Sequence, residues 1–188
     1  MNCILHTQNS KSHPHLPRGR HNRFATALGH EQWPILRKHW PLNTEQLPPE
    51  TQAEYDKLDI QSAMSRYPRL TINGMKGAND PWFNEQRESL LEEHRQVQFR
   101  LAYTFLRGCL KRKTINDGPD SYSLKHYVED WARSFRPDLI PYVSNGLFIA
   151  AAYNAGFQIR TYPAFPSVHI NICNKSLKSQ MKNDGSSI

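Results

Sequence analysis

The sequence predicts an α+β protein, with a mainly helical core, a C-terminal two-stranded antiparallel hairpin and an extended basic N-terminal arm. Three observations predict it. Apolar residues recur at helical spacing in three stretches between residues 84 and 157, and two short runs, 157–162 and 167–172, alternate as half-buried strands do. Residues 1–42 are too rich in histidine, proline and arginine to sustain an apolar face. The expected organisation is a basic His/Pro-rich arm over 1–42, an acidic helical and turn segment over 43–83, a compact helix-helix-helix-hairpin core over 84–174 and a flexible tail over 175–188.

A length of 188 residues fits one domain with irregular ends. The apolar fraction of 38% and mean hydropathy of -0.72 mean that part of the chain adds little to a core. No window approaches the roughly 18 apolar residues of a membrane helix, and the apolar run in MNCILHTQNSKSHPH is too short for a signal peptide, so the expected location is the cytoplasm, away from membranes. Three cysteines, Cys3, Cys109 and Cys173, are odd in number and far apart, which predicts reduced thiols. The net charge of +7 favours an anionic partner. Its distribution is uneven: 6 Lys/Arg against 1 acid over 1–40, 5 against 10 over 41–93, and 13 against 6 over 94–188.

Taken in order, the arm holds six of the nine histidines, centred on HPHLPRGRHNR, with Trp33, Ile35, Leu36 and Trp40 as local anchors. The pair Pro48-Pro49 then starts a short helix through TQAEYDKLDIQSAM, with Tyr55, Leu58 and Ile60 inward. TINGMKGANDPWF, residues 71–83, is turn chemistry and marks the start of the compact part. From Asn84 to Leu110 the spacing predicts one long amphipathic helix, with Leu90, His94, Val97, Leu101 and Phe105 on its apolar stripe and Leu91, Ala102 and Leu106 beside it. Glu85, Glu88, Glu92 and Glu93 crowd its start, and Arg100, Arg107, Lys111, Arg112 and Lys113 its end, matching the helix dipole.

NDGP breaks the chain, and SYSLKHYVEDWARSF follows as a second helix with Leu124, Tyr127, Val128, Trp131 and Phe135 inward and Lys125, Glu129 and Arg133 outward. The stiff linker RPDLIP leads to YVSNGLFIAAAYNAGF. Here Ser144 caps a helix over Leu147–Ala155, Asn145 and Gly146 form its first turn, and Gly156 is its left-handed C-terminal residue. That helix offers only Tyr153 and Asn154 as polar side chains, so it belongs to the core and not to a recognition surface. In the hairpin, Phe157, Ile159 and Thr161 share one face and Val168, Ile170 and Ile172 another, with His169 turned to solvent.

The chemistry-bearing residues are mostly cations. Arg107, Lys111, Arg112 and Lys113, followed by Lys125 and His126, form a cluster suited to phosphates, since each neutralised phosphate releases condensed counterions. Tyr122 and Tyr127 nearby offer rings to stack or pack. Arg18, Arg20 and Arg23 give the arm the character of the basic arms that follow nucleic-acid backbones. The capping turn Ser144, Asn145 and Gly146 presents backbone N–H groups that suit an anion. Cys3-x-x-His6 and His13-x-His15 lack the paired spacing of a structural zinc site, and His94 reads as a buried, hydrogen-bonded histidine, so no metal and no cofactor is expected. No G-x-S-x-G, H-E-x-x-H, P-loop or dinucleotide-binding motif occurs, which points away from catalysis.

The order of three helices and a hairpin resembles a winged-helix domain at the level of element order, although RPDLIPYV is too long for the tight turn of a helix-turn-helix. The series KTIN (Lys113 to Asn116), SYSLKH (Ser121 to His126) and YVSNGLFIAAAYNAGF resembles small uncharacterised proteins carried by bacterial plasmids and phages. That resemblance implies a mobile-element origin and no activity. The leading expectation is a small, non-enzymatic, nucleic-acid-binding protein, DNA or RNA, from a mobile element. The alternative is a phage- or plasmid-encoded protein that modulates a host protein or nucleoprotein complex, docking through Trp33, Trp40 or Trp82 and the acids Glu50, Glu54, Asp56 and Asp59. A second alternative is a small enzyme of unrecognised type, such as a nuclease or transferase.

Overall fold

The computed structural model of the chain describes residues 49–182 apart from 136, 138 and 139, so the arm, with Arg18, Arg20, Arg23, Trp33 and Trp40, lies outside the described residues. The elements run α1 (Pro49–Arg66), β1 (Leu70–Thr71), β2 (Gly74–Met75), α2 (Phe83–Glu88), two 3₁₀ turns (Ser89–Leu91 and Glu93–Arg95), α3 (Gln96–Arg107), α4 (Ser121–Phe135), α5 (Asn145–Asn154), β3 (Ile159–Arg160), β4 (His169–Ile170) and α6 (Asn174–Lys182). β1 pairs antiparallel with β2, Leu70 opposite Met75, and β3 with β4, Ile159 opposite Ile170. The α+β expectation therefore holds at this level, helices with two small antiparallel sheets.

Helix α5 is the centre, as its sequence predicted. Leu147 through Ala152 are all 0 % exposed, and α1, α3, α4 and β2 pack around the helix. Ala150, Ala151 and Ala152 let the neighbours approach closely, while Leu147, Phe148 and Ile149 each contribute about 1.5–3 kcal/mol through burial. Ser144 caps the helix by accepting from Leu147 N–H (3.4 Å), and Gly156 takes φ +80° after its end, where a side chain would be strained.

Several elements differ from their sequence reading. The long helix expected over 84–110 is broken, because Glu92 is extended (φ -61°, ψ 130°). Tertiary ties account for the break: Ile72 N–H donates to the Gln86 carbonyl (2.9 Å), and the Arg87 guanidinium donates to the carbonyls of Met64, Pro68 and Leu70. These ties hold α2 against the first hairpin, and the chain must turn to enter α3. With the phase reset, α3 buries Phe99, Ala102, Tyr103, Phe105 and Leu106, Val97 and Leu101 are half-buried, and His94 is exposed beside Glu92.

Helix α1 is no short appendage of the arm but part of the core, with Ile60, Ala63 and Met64 buried, while Leu58, expected inward, is 59 % exposed. Its acids Asp56 and Asp59 are buried, not offered to a partner, and Arg100 of α3 donates through Nε to Asp56. On α4, Leu124, Val128 and Trp131 are buried as expected, but Tyr127 is exposed. His169 is half-buried, with its ring centroid 5.4 Å from that of Tyr162. Residues 175–182, expected as part of a flexible tail, belong to α6, because Leu177 (2 % exposed) and Met181 recur on one side and dock on the core. Cys109 is free and buried, whereas Cys173 is disulfide-bonded, so the expectation of reduced thiols holds for one of the two described cysteines.

Candidate nucleic-acid interface

The basic run after α3 is short of regular structure, yet it is held firmly. Lys111 bridges Ile172 in antiparallel fashion, flanked by Arg112 N–H donating to the Asn171 carbonyl (2.6 Å) and Cys173 N–H donating to the Leu110 carbonyl (2.9 Å). Leu110 N–H donates to Ser176 Oγ at the start of α6 (2.9 Å). Two buried asparagines complete the clamp. Asn171 donates through Nδ2 to the Arg112 carbonyl (2.7 Å) and accepts at Oδ1 from Gln158 N–H (2.8 Å), and Asn116 donates through Nδ2 to the Ile172 carbonyl (3.1 Å).

This clamp brings four of the expected site residues together. Arg107, Lys111, Arg112 and Lys113 line one cleft of about 630 Å³, together with Tyr103, Leu106, Cys109, Leu110, Asn154, Ala155 and Gln158. None of these described lining residues is acidic. Arg107 and Lys113 are exposed, whereas Lys111 and Arg112 are recessed. The Lys111 ammonium lies 5.2 Å from the centroid of the Phe157 ring, and the Arg107 guanidinium lies 6.0 Å from that of Tyr103. Burial, together with the positive charge of Arg107, pulls Lys111 below the ordinary lysine range. Burial pushes the neighbouring Cys109 thiol up to about 12, which leaves almost no thiolate near neutral pH.

Lys125 and His126 do not join this cleft. Lys125, expected on the outer side of α4, is 4 % exposed and donates to Glu129 Oε1 (2.9 Å), with its ammonium 5.0 Å from the ring centroids of both Tyr122 and Tyr142. His126 Nδ1 meets Glu129 Oε2 at 2.7 Å, and Val143 N–H donates to Glu129 Oε1 (2.9 Å), so a buried carboxylate pins the entry to α5. Burial pushes the Glu129 carboxyl up, but the hydrogen bonds from Val143, Lys125 and His126 and the Lys125 charge outweigh it and hold the group below the ordinary carboxylate range. A folded value below the unfolded one adds stability that is present above the unfolded value and disappears as pH falls through the folded one. Glu129→Gln is thus expected to cost about 2 kcal/mol at neutral pH, and urea denaturation should show this deficit shrinking in acid. A deficit of constant size at every pH would remove Glu129 from this role.

The helix start at Ser144, Asn145 and Gly146 is closed to an external anion. All three are buried, Gly146 N–H donates to the Ile72 carbonyl (3.0 Å) and Ser144 N–H to Gln98 Oε1 (3.0 Å). Asn145 accepts from Ser121 Oγ (2.7 Å) and donates to the Pro166 carbonyl (3.2 Å). The donors that suggested an anion site instead fasten α5 to the β1–β2 hairpin, to α3 and to the loop before β4. Sequence reasoning missed Asn116 and Asn171, whose spacing carries no motif, and it missed Asn154 and Gln158 as cleft residues because they come from the far end of α5 and beyond. Among the described residues no cluster of His, Cys, Asp or Glu could hold a metal, and no helix is long and apolar enough to cross a membrane. Comparison of the chain with protein-family models, curated proteins and solved structures finds no match.

Proposed function

We propose that this chain is a nucleic-acid-binding protein that contacts phosphates through Arg107, Lys111, Arg112 and Lys113. The observation that carries the reading is the convergence of these four cations on one cleft whose described lining holds no carboxylate. Counterion release makes such a cluster attractive to a polyanion and makes the affinity depend on salt. The arm, with Arg18, Arg20 and Arg23, adds charge of the same sign, and the proposal includes a non-catalytic, cytoplasmic, mobile-element role. Lys125 and His126 have no part in it, because they serve Glu129. The winged-helix-like order has no part in it either, since α5 is buried on all sides.

The test is fluorescence anisotropy of labelled DNA and RNA over a salt series, with wild type and a Lys111→Ala/Arg112→Ala/Lys113→Ala variant. Removing three phosphate contacts should weaken binding by about 10-fold or more and lower the log–log salt slope by about 2–3. Unchanged affinity and slope would sink the reading. A protein partner is the second reading, favoured by Trp82, which is 64 % exposed on the side of the first hairpin and α2.

A further inference from the structure

We infer that the basic cleft seats one nucleoside phosphate unit of an unpaired strand, so that the protein prefers single-stranded nucleic acid to duplex. The inference rests on the nucleic-acid reading above and narrows it. Its first support is shape. A cleft of about 630 Å³ lies in the range of sites that enclose small ligands, not in that of a flat or convex face. A duplex is roughly 20 Å across, with its phosphates on convex rails and its bases stacked inside, and cannot enter such a space. An unpaired nucleotide can turn its base and phosphate inward.

The second support is where the charges sit. Arg107 and Lys113 are exposed at the surface, where either kind of nucleic acid can reach them, while Lys111 and Arg112 are half-buried along the cleft, where a group that enters meets them best. A single strand can therefore neutralise more of the cluster than a duplex can. The third support is the lining. Tyr103, Leu106, Leu110 and Ala155 supply apolar wall beside the cations, which suits a base and ribose as well as a phosphate. Asn154 uses Nδ2 on the carbonyls of Asp59 (2.8 Å) and Ala150 (2.9 Å), which orients its amide and leaves Oδ1 as the acceptor for a base N–H. Gln158 is exposed at the rim and offers both a donor and an acceptor.

The deciding experiment measures anisotropy of a labelled single strand of about 16 nucleotides and of the same sequence as a duplex, with competition by free nucleoside monophosphates. Gln158→Trp serves as a variant that fills the cleft. Its backbone N–H tie to Asn171 does not depend on the side chain, and its melting temperature is checked first. The expected result is single-strand binding about 10-fold tighter than duplex binding near 150 mM salt, with the preference lost in Gln158→Trp. Equal affinity for single strand and duplex overturns this inference and leaves the nucleic-acid reading standing. No affinity for either polymer overturns both. Should Gln158→Trp fail to fold, the wild-type ratio of single strand to duplex decides alone.

Discussion

Replacing Gly146 with alanine is expected to be among the most damaging single changes in this protein. A Cβ at this position would lie 1.9 Å from the Thr71 carbonyl oxygen, 2.9 Å from its carbon and 3.0 Å from Ile72 Cα. All three atoms are backbone, so no flexible side chain can swing away. The Gly146 N–H donates to the Ile72 carbonyl at 3.0 Å, which means that α5 and the β1–β2 hairpin meet backbone to backbone here. Separating them enough for a methyl group breaks this bond and loosens the packing around Leu147 and Phe148. Overpacking alone costs about 1–3 kcal/mol, and the lost buried hydrogen bond adds about 1–3 more. A total near 4 kcal/mol is a large part of the roughly 5–15 kcal/mol of a typical domain, and it lowers Tm by about 10 °C or more. Gly77→Ala is the matched control, because its Cβ would meet only Asn79 N at 4.0 Å. Thermal melts that shift equally for the two variants would refute this account.

Asp56→Ala is expected to rank beside it. Asp56 on α1 is 0 % exposed and accepts from Nε of Arg100 on α3, which is 6 % exposed. Burial pulls the Arg100 guanidinium below its ordinary value, and the Asp56 charge and hydrogen bond oppose this. Removing the carboxylate leaves a cation in the core without this counterion, a change that costs about 3–5 kcal/mol. Replacing both partners by apolar groups, as in Asp56→Leu/Arg100→Met, should recover most of the loss, since the desolvation penalty disappears along with the attraction. The measurement is the urea midpoint of the single and double variants. A double variant no more stable than Asp56→Ala would show that the pair matters for shape and not for charge.

These two sites also show how much was legible in the sequence. The burial of α5, its Ser144 cap, the left-handed Gly156 and the C-terminal hairpin were readable, because each follows from local spacing or from the stereochemistry of one residue, whereas the first hairpin was read only as turn. The cation cluster at 107–113 was readable as composition, since its members are near neighbours in the chain. Lys125 was misread as an outward residue. Helical periodicity assigns a face by hydrophobicity, and a lysine paired with Glu129 and covered by Tyr122 and Tyr142 can occupy a buried position that the pattern gives to solvent. His94 was misread for the opposite reason, because the stripe assumed an unbroken helix, whereas the break at Glu92 leaves His94 in a 3₁₀ turn ahead of α3 and out of the helical phase.

The sequence by itself determined most of the helical segments, though neither α6 nor the break at Glu92, and it determined which helix is apolar on all sides and where positive charge gathers. Those properties depend on residues a few positions apart. The tertiary structure alone decided that Asp56 and Arg100 pair across 44 positions, that Gly146 must be glycine because Thr71 lies against it, and that the basic run forms one wall of a cleft. Lys111 is held in that wall by its bridge to Ile172 and Arg112 by the Asn171 amide, both more than 55 residues further along. The physical reason is that desolvation, close backbone approach and convergence of charge are properties of surfaces in contact, and the chain specifies those surfaces only once its distant parts have been packed together.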